Sequence, residues 1–240
     1  MPPKCSAAEV RLHPQPFDLE RAPHGEAGAQ VPGQCRQKEG KRSVDSDLAE
    51  SVAALKDIFA RRGIPASFGK ADPAVVEEIR KTLRVPARYR AFLQAADPID
   101  VETVTPVERV RLFPAHRLAT EQNGQTGTDG GTPLAAWRKS WIIVGRSALL
   151  GDPYFLDISK LDAEGDCPVY TCMMGTESLK PELCASSFQQ FLRILATSME
   201  VASGFGEAVL DDDDEAIFRE ALAPKIKTID SAALRAGHWT

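Results

Sequence analysis

The sequence has no apolar run approaching the roughly 20 residues needed to cross a bilayer. Its longest candidates, Trp141 to Val144 and Phe188 to Leu195, are short or interrupted by polar residues. The N-terminus also lacks the continuous apolar core of a secretory signal, so cytoplasmic residence with no membrane partner is expected. Histidine is scarce. His13, His24 and His238 fall in expected tails, which leaves His116 inside the expected domain. The five cysteines, Cys5, Cys35, Cys167, Cys172 and Cys184, form an odd and scattered set. Cys167 and Cys172 have no second close pair and no nearby histidine, so free thiols are expected in place of a zinc site. Ser147 does not sit in a GxSxG elbow, and neither HExxH nor a kinase signature occurs. The glycines at 124, 127, 130 and 131 are followed by Thr132-Pro133, not by the Lys-Ser/Thr pair of a phosphate loop. No catalytic residue, metal or cofactor is therefore expected.

With 43% hydrophobic and 26% charged residues, the composition is that of a globular protein with one medium domain and extensions. Residues 1–43 carry prolines at 2, 3, 14, 16, 23 and 32 and show neither helical nor strand periodicity. They are expected to lack a stable fold, as a docking tail or as residues ahead of a later true start. The domain is expected over 44–200. Leu48, Val52, Leu55 and Phe59 recur at helical spacing before a Gly63 and Pro65 stop. Asp72 and Pro73 supply a cap and first residue for a second helix carrying Val76, Ile79 and Leu83. Pro86 opens a third, with Tyr89, Phe92 and Leu93 at contact spacing.

After Asp97-Pro98 the period changes. Two short strands are expected around Pro106, with Val107 to Phe113 forming an edge or half-exposed strand. The Gly- and Thr-rich stretch 119–140 reads as a long exposed loop with a short helix near Leu134 to Trp137. Trp141 to Gly145 and Tyr154 to Ile158 read as two strands joined through Gly151-Asp152-Pro153. Asp152 and Asp157 approach each other only if the pairing register permits, so turn or groove roles stand beside partner contact and acid/base or metal work. Pro168 to Gly175 adds a third strand. Ser187 and Gln190 then cap a helix whose stripe is Phe188, Phe191, Leu192, Leu195 and Met199. Residues 201–240 form a C-terminal helical extension. There the run Asp211, Asp212, Asp213, Asp214 and Glu215 precedes Ile217, Phe218, Ala221 and Leu222, as a solvated helix start or a patch for a basic protein surface. With a net charge of −5 and such a run, nucleic acid is a poor partner.

The order WIIVGRSALLGDPYFLDIS, PVYTCMMG, ASSFQQFLRIL resembles the SMI1/KNR4 superfamily, also called SUKH. The segment VPARYRAFLQAAD is similar to its Leu/Val-Pro-x-x-Tyr-x-x-Phe-Leu pattern. The resemblance covers nearly all of 45–195. It implies an α+β fold in which N-terminal helices, an antiparallel-rich twisted sheet and a C-terminal helix pack together. It also implies an immunity protein that binds a cognate toxin, often a nuclease, and blocks its active site or substrate access. Asp152, Asp157 and Asp211 to Asp214 are the charges expected to meet a basic toxin cleft, with Trp137, Trp141 or Tyr154 as aromatic anchors if exposed. Two other classes stay open, a regulatory scaffold like the fungal relatives and a small-molecule or metal-dependent enzyme.

Overall fold

Local sequence signals build most of the helices of the computed structural model, which describes residues 44–126, 137–175, 178–205 and 212–240. Helix α1, Val44–Arg62, turns Leu48, Val52, Leu55 and Phe59 inward and stops at Gly63, whose φ of +64° suits a residue without Cβ. Helix α2, Pro73–Thr82, starts where the Asp72 carboxylate accepts the Ala74 N–H. Helix α3, Ala87–Ala96, buries Tyr89, Phe92 and Leu93. The expected N-terminal extension, 1–43, lies outside the described residues.

The strands run in sequence order as one seven-stranded antiparallel meander: β1 Ser67–Gly69, β2 Asp97–Glu102, β3 Val110–Leu112, β4 Trp141–Ser147, β5 Pro153–Asp157, β6 Val169–Thr171 and β7 Glu182–Ala185. The Gly-Asp-Pro turn joins β4 to β5 as expected, and Gly151 takes a φ of +79°. Strand β4 runs past Gly145 to Ser147, through a register shift between Ile143 and Gly145. A Cβ on Gly145 would lie 2.6 Å from the Arg111 carbonyl oxygen, so β3 and β4 close on each other only because that residue is glycine.

Two expectations need correction. Val110 to Leu112 is half-exposed, with Arg111 outward, yet it is flanked by β2 and β4 and is not an edge strand. The first part of the expected loop is helix α4, Ala115–Thr126. Its Ala115 N–H is held by the buried Asp97 carboxylate at 2.8 Å. Further along, the Gln122 amide both donates to Ile143 O (3.0 Å) and accepts from Ile143 N (2.9 Å). One side chain thus stands in for the strand partner that β3 is too short to supply. Residues 127–136, including most of the expected short helix, lie outside the described residues.

Helix α5, Phe188–Ala202, is capped by Ser187 Oγ, which accepts the Gln190 N–H, and packs its apolar stripe against α1 and the sheet. Gln190 Nε2 donates onward to Ile229 O, at the end of α6, Asp212–Ile229. Helix α7, Ser231–Ala236, lies along β7. The C-terminal extension therefore packs into the same body as the rest of 42–240.

Candidate functional site

An antiparallel meander sends alternate loops to opposite ends of the sheet. The β2–β3, β4–β5 and β6–β7 connections all emerge at one end. There α6 and the C-terminal residues meet them around a cleft of about 240 Å³. The loop wall carries Glu108, Leu150, Asp152, Met173 and Glu182, and the opposite wall Phe218, Arg219, Leu222, His238 and Trp239.

Each polar group is fixed by its own loop. Thr105 Oγ1 accepts the Glu108 N–H (3.0 Å) and donates to the Glu108 carbonyl (2.6 Å), a side-chain turn that aims Glu108 along the cleft. Asp152 Oδ1 accepts the Met174 N–H at 2.9 Å and so ties the β4–β5 turn to the chain leaving β6. Within its own turn that work falls to Ser147, whose Oγ accepts the Leu150 N–H. Arg219 is paired with Glu215 at 2.7 Å and donates to the His238 carbonyl at 3.2 Å. At the back of the cleft, Tyr154 Oη lies 3.1 Å from His238 Nε2 and also reaches Glu108. Tyrosine has one proton to give. When its hydroxyl donates to the Glu108 carboxylate, Tyr154 can only accept from His238, which requires the imidazole hydrogen on Nε2.

Burial, opposed by hydrogen bonds from Ser147, Arg109 N–H and Tyr154, pushes the Glu108 carboxyl up, and the Asp152 charge adds to the rise. Burial, with the Arg219 charge second, pulls His238 down to about 4. A histidine with a depressed folded-state value takes its proton first in the unfolded chain. Its contribution to stability is present above about 6.5 and is lost as pH falls through that value toward about 4. A fall of that size corresponds to about 3 kcal/mol. Urea midpoints at pH 7 and pH 4.5, which span most of that window, should therefore show His238→Gln losing about 2 kcal/mol less than the parent on acidification. Equal losses would mean that His238 is not held neutral.

The expected site residues divide. Asp152 lines the cleft. Asp213 and Asp214 are exposed on the first turn of α6, the helix that forms one cleft wall; Asp212 begins that helix, and Asp211 lies outside the described residues. Trp141 and Tyr154 are corrected as surface anchors, because β4 and β5 are central and covered on both faces; both rings are buried. Trp137 is half-buried, edge-on to Trp141 at 5.2 Å and to Phe155 at 5.1 Å. Asp157 is buried at the far end of β5 from Asp152, where its Oδ1 accepts the Ser159 N–H and hydroxyl. With Pro153 and Asp157 bounding β5, the two aspartates flank the strand at opposite ends and form no pair. Among the described residues, no three His, Cys, Asp or Glu side chains are grouped to hold a metal ion.

Sequence reasoning missed Glu108, Arg219, His238 and Trp239. Leu149-Leu150, two large apolar residues immediately before a Gly-Asp-Pro turn, was the signal that an exposed apolar rim lay there. Leu150 is 73% exposed and Met173 66%.

A straight antiparallel meander, helices packed with it and a loop-end cleft define an α+β scaffold built to present loops. Residues 70–194 match the SMI1 / KNR4 family (SUKH-1), and the chain belongs to this family. The match spans more than half of the chain and ends within α5, so α6, α7 and the wall they give the cleft lie beyond it. No curated protein is similar enough to the chain to match it.

Proposed function

We propose that this protein is a non-catalytic immunity protein of the cytoplasm that binds a cognate bacterial toxin and neutralises it by covering its active site or the approach of its substrate. The observation that carries this reading is membership of the SMI1/KNR4 (SUKH-1) family, which includes many bacterial immunity proteins. The loop-end cleft supports it, since carboxylates and exposed apolar side chains share one rim there. The acidic first turn of α6 stands on the adjoining wall. Such a surface is complementary to the basic cleft of a nuclease and repels nucleic acid itself. Inhibition by coverage needs no bond to form or break, only that the complex outlast the toxin's encounters with substrate.

The reading predicts a toxin gene beside this one, and the test is co-expression with the adjacent gene's product. Growth should be restored and the two proteins should co-purify as a stable complex. Unrelieved toxicity with no recoverable complex would rule the immunity reading out.

A further inference from the structure

We infer that the loop-end cleft is a socket for one basic side chain, an arginine or lysine projecting from the partner protein, whose stem lies on Leu150 and Met173 and whose cationic head meets Asp152, Glu108 and Glu182. The inference deepens the proposed function and rests on it for the partner's identity as a toxin. Four observations carry the chemistry.

The first is sign. Three carboxylates line the cleft against one guanidinium, and Arg219 is already matched by Glu215 and held by the His238 carbonyl. His238, half-buried against Tyr154 and pulled down to about 4, adds no charge at neutral pH. The unbalanced charge is negative.

The second is spread. The carboxylates come from three separate places, the β2–β3 loop, the β4–β5 turn and the start of β7, and do not close on a point as metal ligands do, since no metal-holding group of three exists among the described residues. A delocalised guanidinium or a three-donor ammonium can reach acceptors set apart in this way, where a small ion cannot.

The third is size. About 240 Å³ lies below the roughly 300–1,000 Å³ of drug-sized ligand sites, yet it has room for a single long side chain. The fourth is the rim. Leu150 and Met173 stand out into solvent beside the acidic groups, an apolar lip that suits the methylene stem of arginine or lysine. A cationic head would also offset what raises the Glu108 carboxyl, its burial first and the Asp152 charge only last. Because Arg219, His238 and Trp239 all lie beyond residue 194, the socket is a feature of this chain's extension as much as of the family scaffold.

The probe is N-acetyl-arginine amide, titrated into the 15N-labelled full chain while the Trp239 indole N–H resonance is followed. Trp239 lines the cleft and donates to the Cys184 carbonyl at 2.8 Å, so its signal is anchored and reports locally. A saturable shift is expected, with the isosteric N-acetyl-citrulline amide at least tenfold weaker. Asp152→Asn keeps the acceptor for the Met174 N–H and should weaken binding about fivefold. Glu182→Gln, on an exposed side chain, should also weaken it without touching the fold. No shift, an equal response to the citrulline amide, or unaltered affinity in both variants overturns the socket. Tighter binding of agmatine with exclusion of the capped arginine would assign the cleft to a free small guanidine and overturn the partner side chain. The two readings fail separately. Arginine binding without protection in co-expression sinks the toxin assignment and leaves the socket, whereas a toxin complex untouched by Asp152→Arg sinks the socket and leaves the immunity reading.

Discussion

Replacing Phe191 by alanine should cost about 3–5 kcal/mol of stability, the range for emptying an aromatic site in a packed core. Phe191 is fully buried on the inner face of α5. Its ring lies 5.5 Å from Tyr154 on β5, 6.4 Å from Phe188 and 6.5 Å from Trp239 near the C-terminus. The void would therefore open where helix, sheet and C-terminal residues meet, and no one of them can move in without leaving the other two. At about 2–4 °C per kcal/mol for a chain of this size, the melting midpoint should fall by about 6–20 °C. Phe191→Leu keeps most of the volume and should cost less than about 2 kcal/mol. A midpoint within about 2 °C of the parent for the alanine variant would take Phe191 out of the core. Since Trp239 is a neighbour, the alanine variant should also loosen the cleft wall, seen as broadening of the Trp239 indole resonance at temperatures well below melting.

What the chain shows in advance is whatever its neighbours in sequence decide. Helices α1, α2, α3 and α5 were legible because periodicity and caps act within a few residues: Asp72 holds Ala74, and Ser187 holds Gln190. The β4–β5 hairpin was legible for the same reason, through Gly151-Asp152-Pro153. Strand β3 reads as an edge or half-exposed strand, and only the second holds, because alternation of exposed and buried residues reports which faces are wet, not how many strands flank them. Helix α4 was hidden by a polar sequence whose support is tertiary, from Asp97 and Ile143. The cleft is the extreme case. Glu108, Asp152, Arg219 and His238 are brought together by a meander that returns three loops to one end and by an extension that folds back over them. Reading Gly237-His238-Trp239 as a tail followed from its position, but Trp239 is buried and bonded to Cys184.

Asp166→Ala should be as costly as the loss of the phenyl ring, for an electrostatic reason. The Asp166 carboxylate is buried and accepts three backbone N–H bonds, from Cys167 at 2.7 Å, Phe188 at 2.9 Å and Gln189 at 3.2 Å. It thereby satisfies donors at the first turn of α5, where no intrahelical partner exists. It also lies 3.9 Å from Arg88, a guanidinium whose side chain is itself buried, and which pairs with the exposed Glu164 at 3.3 Å. Alanine removes all three acceptor bonds and takes the buried carboxylate away from Arg88, while the exposed Glu164 pair is screened by solvent. Breaking one side of a buried pair costs about 3–5 kcal/mol, most of it the penalty on the charge left behind. Burial outweighs those bonds in setting the carboxyl's own behaviour and raises its pKa. A raised value means that the folded state holds the proton more tightly than the unfolded one. The carboxyl's contribution to stability is then fullest below the unfolded-state value and declines as pH rises through the folded one. Asp166→Asn separates the two effects, since its amide oxygen still accepts from the helix start while the charge beside Arg88 is gone. It should lose less than alanine at neutral pH and should shed the Asp166 part of the pH dependence. If alanine and asparagine lose the same amount in urea denaturation at pH 7, the helix-start bonds carry nothing and the ion pair alone accounts for the loss. If neither loses more than about 1 kcal/mol, Asp166 is not the clasp between α3 and α5 that its contacts describe.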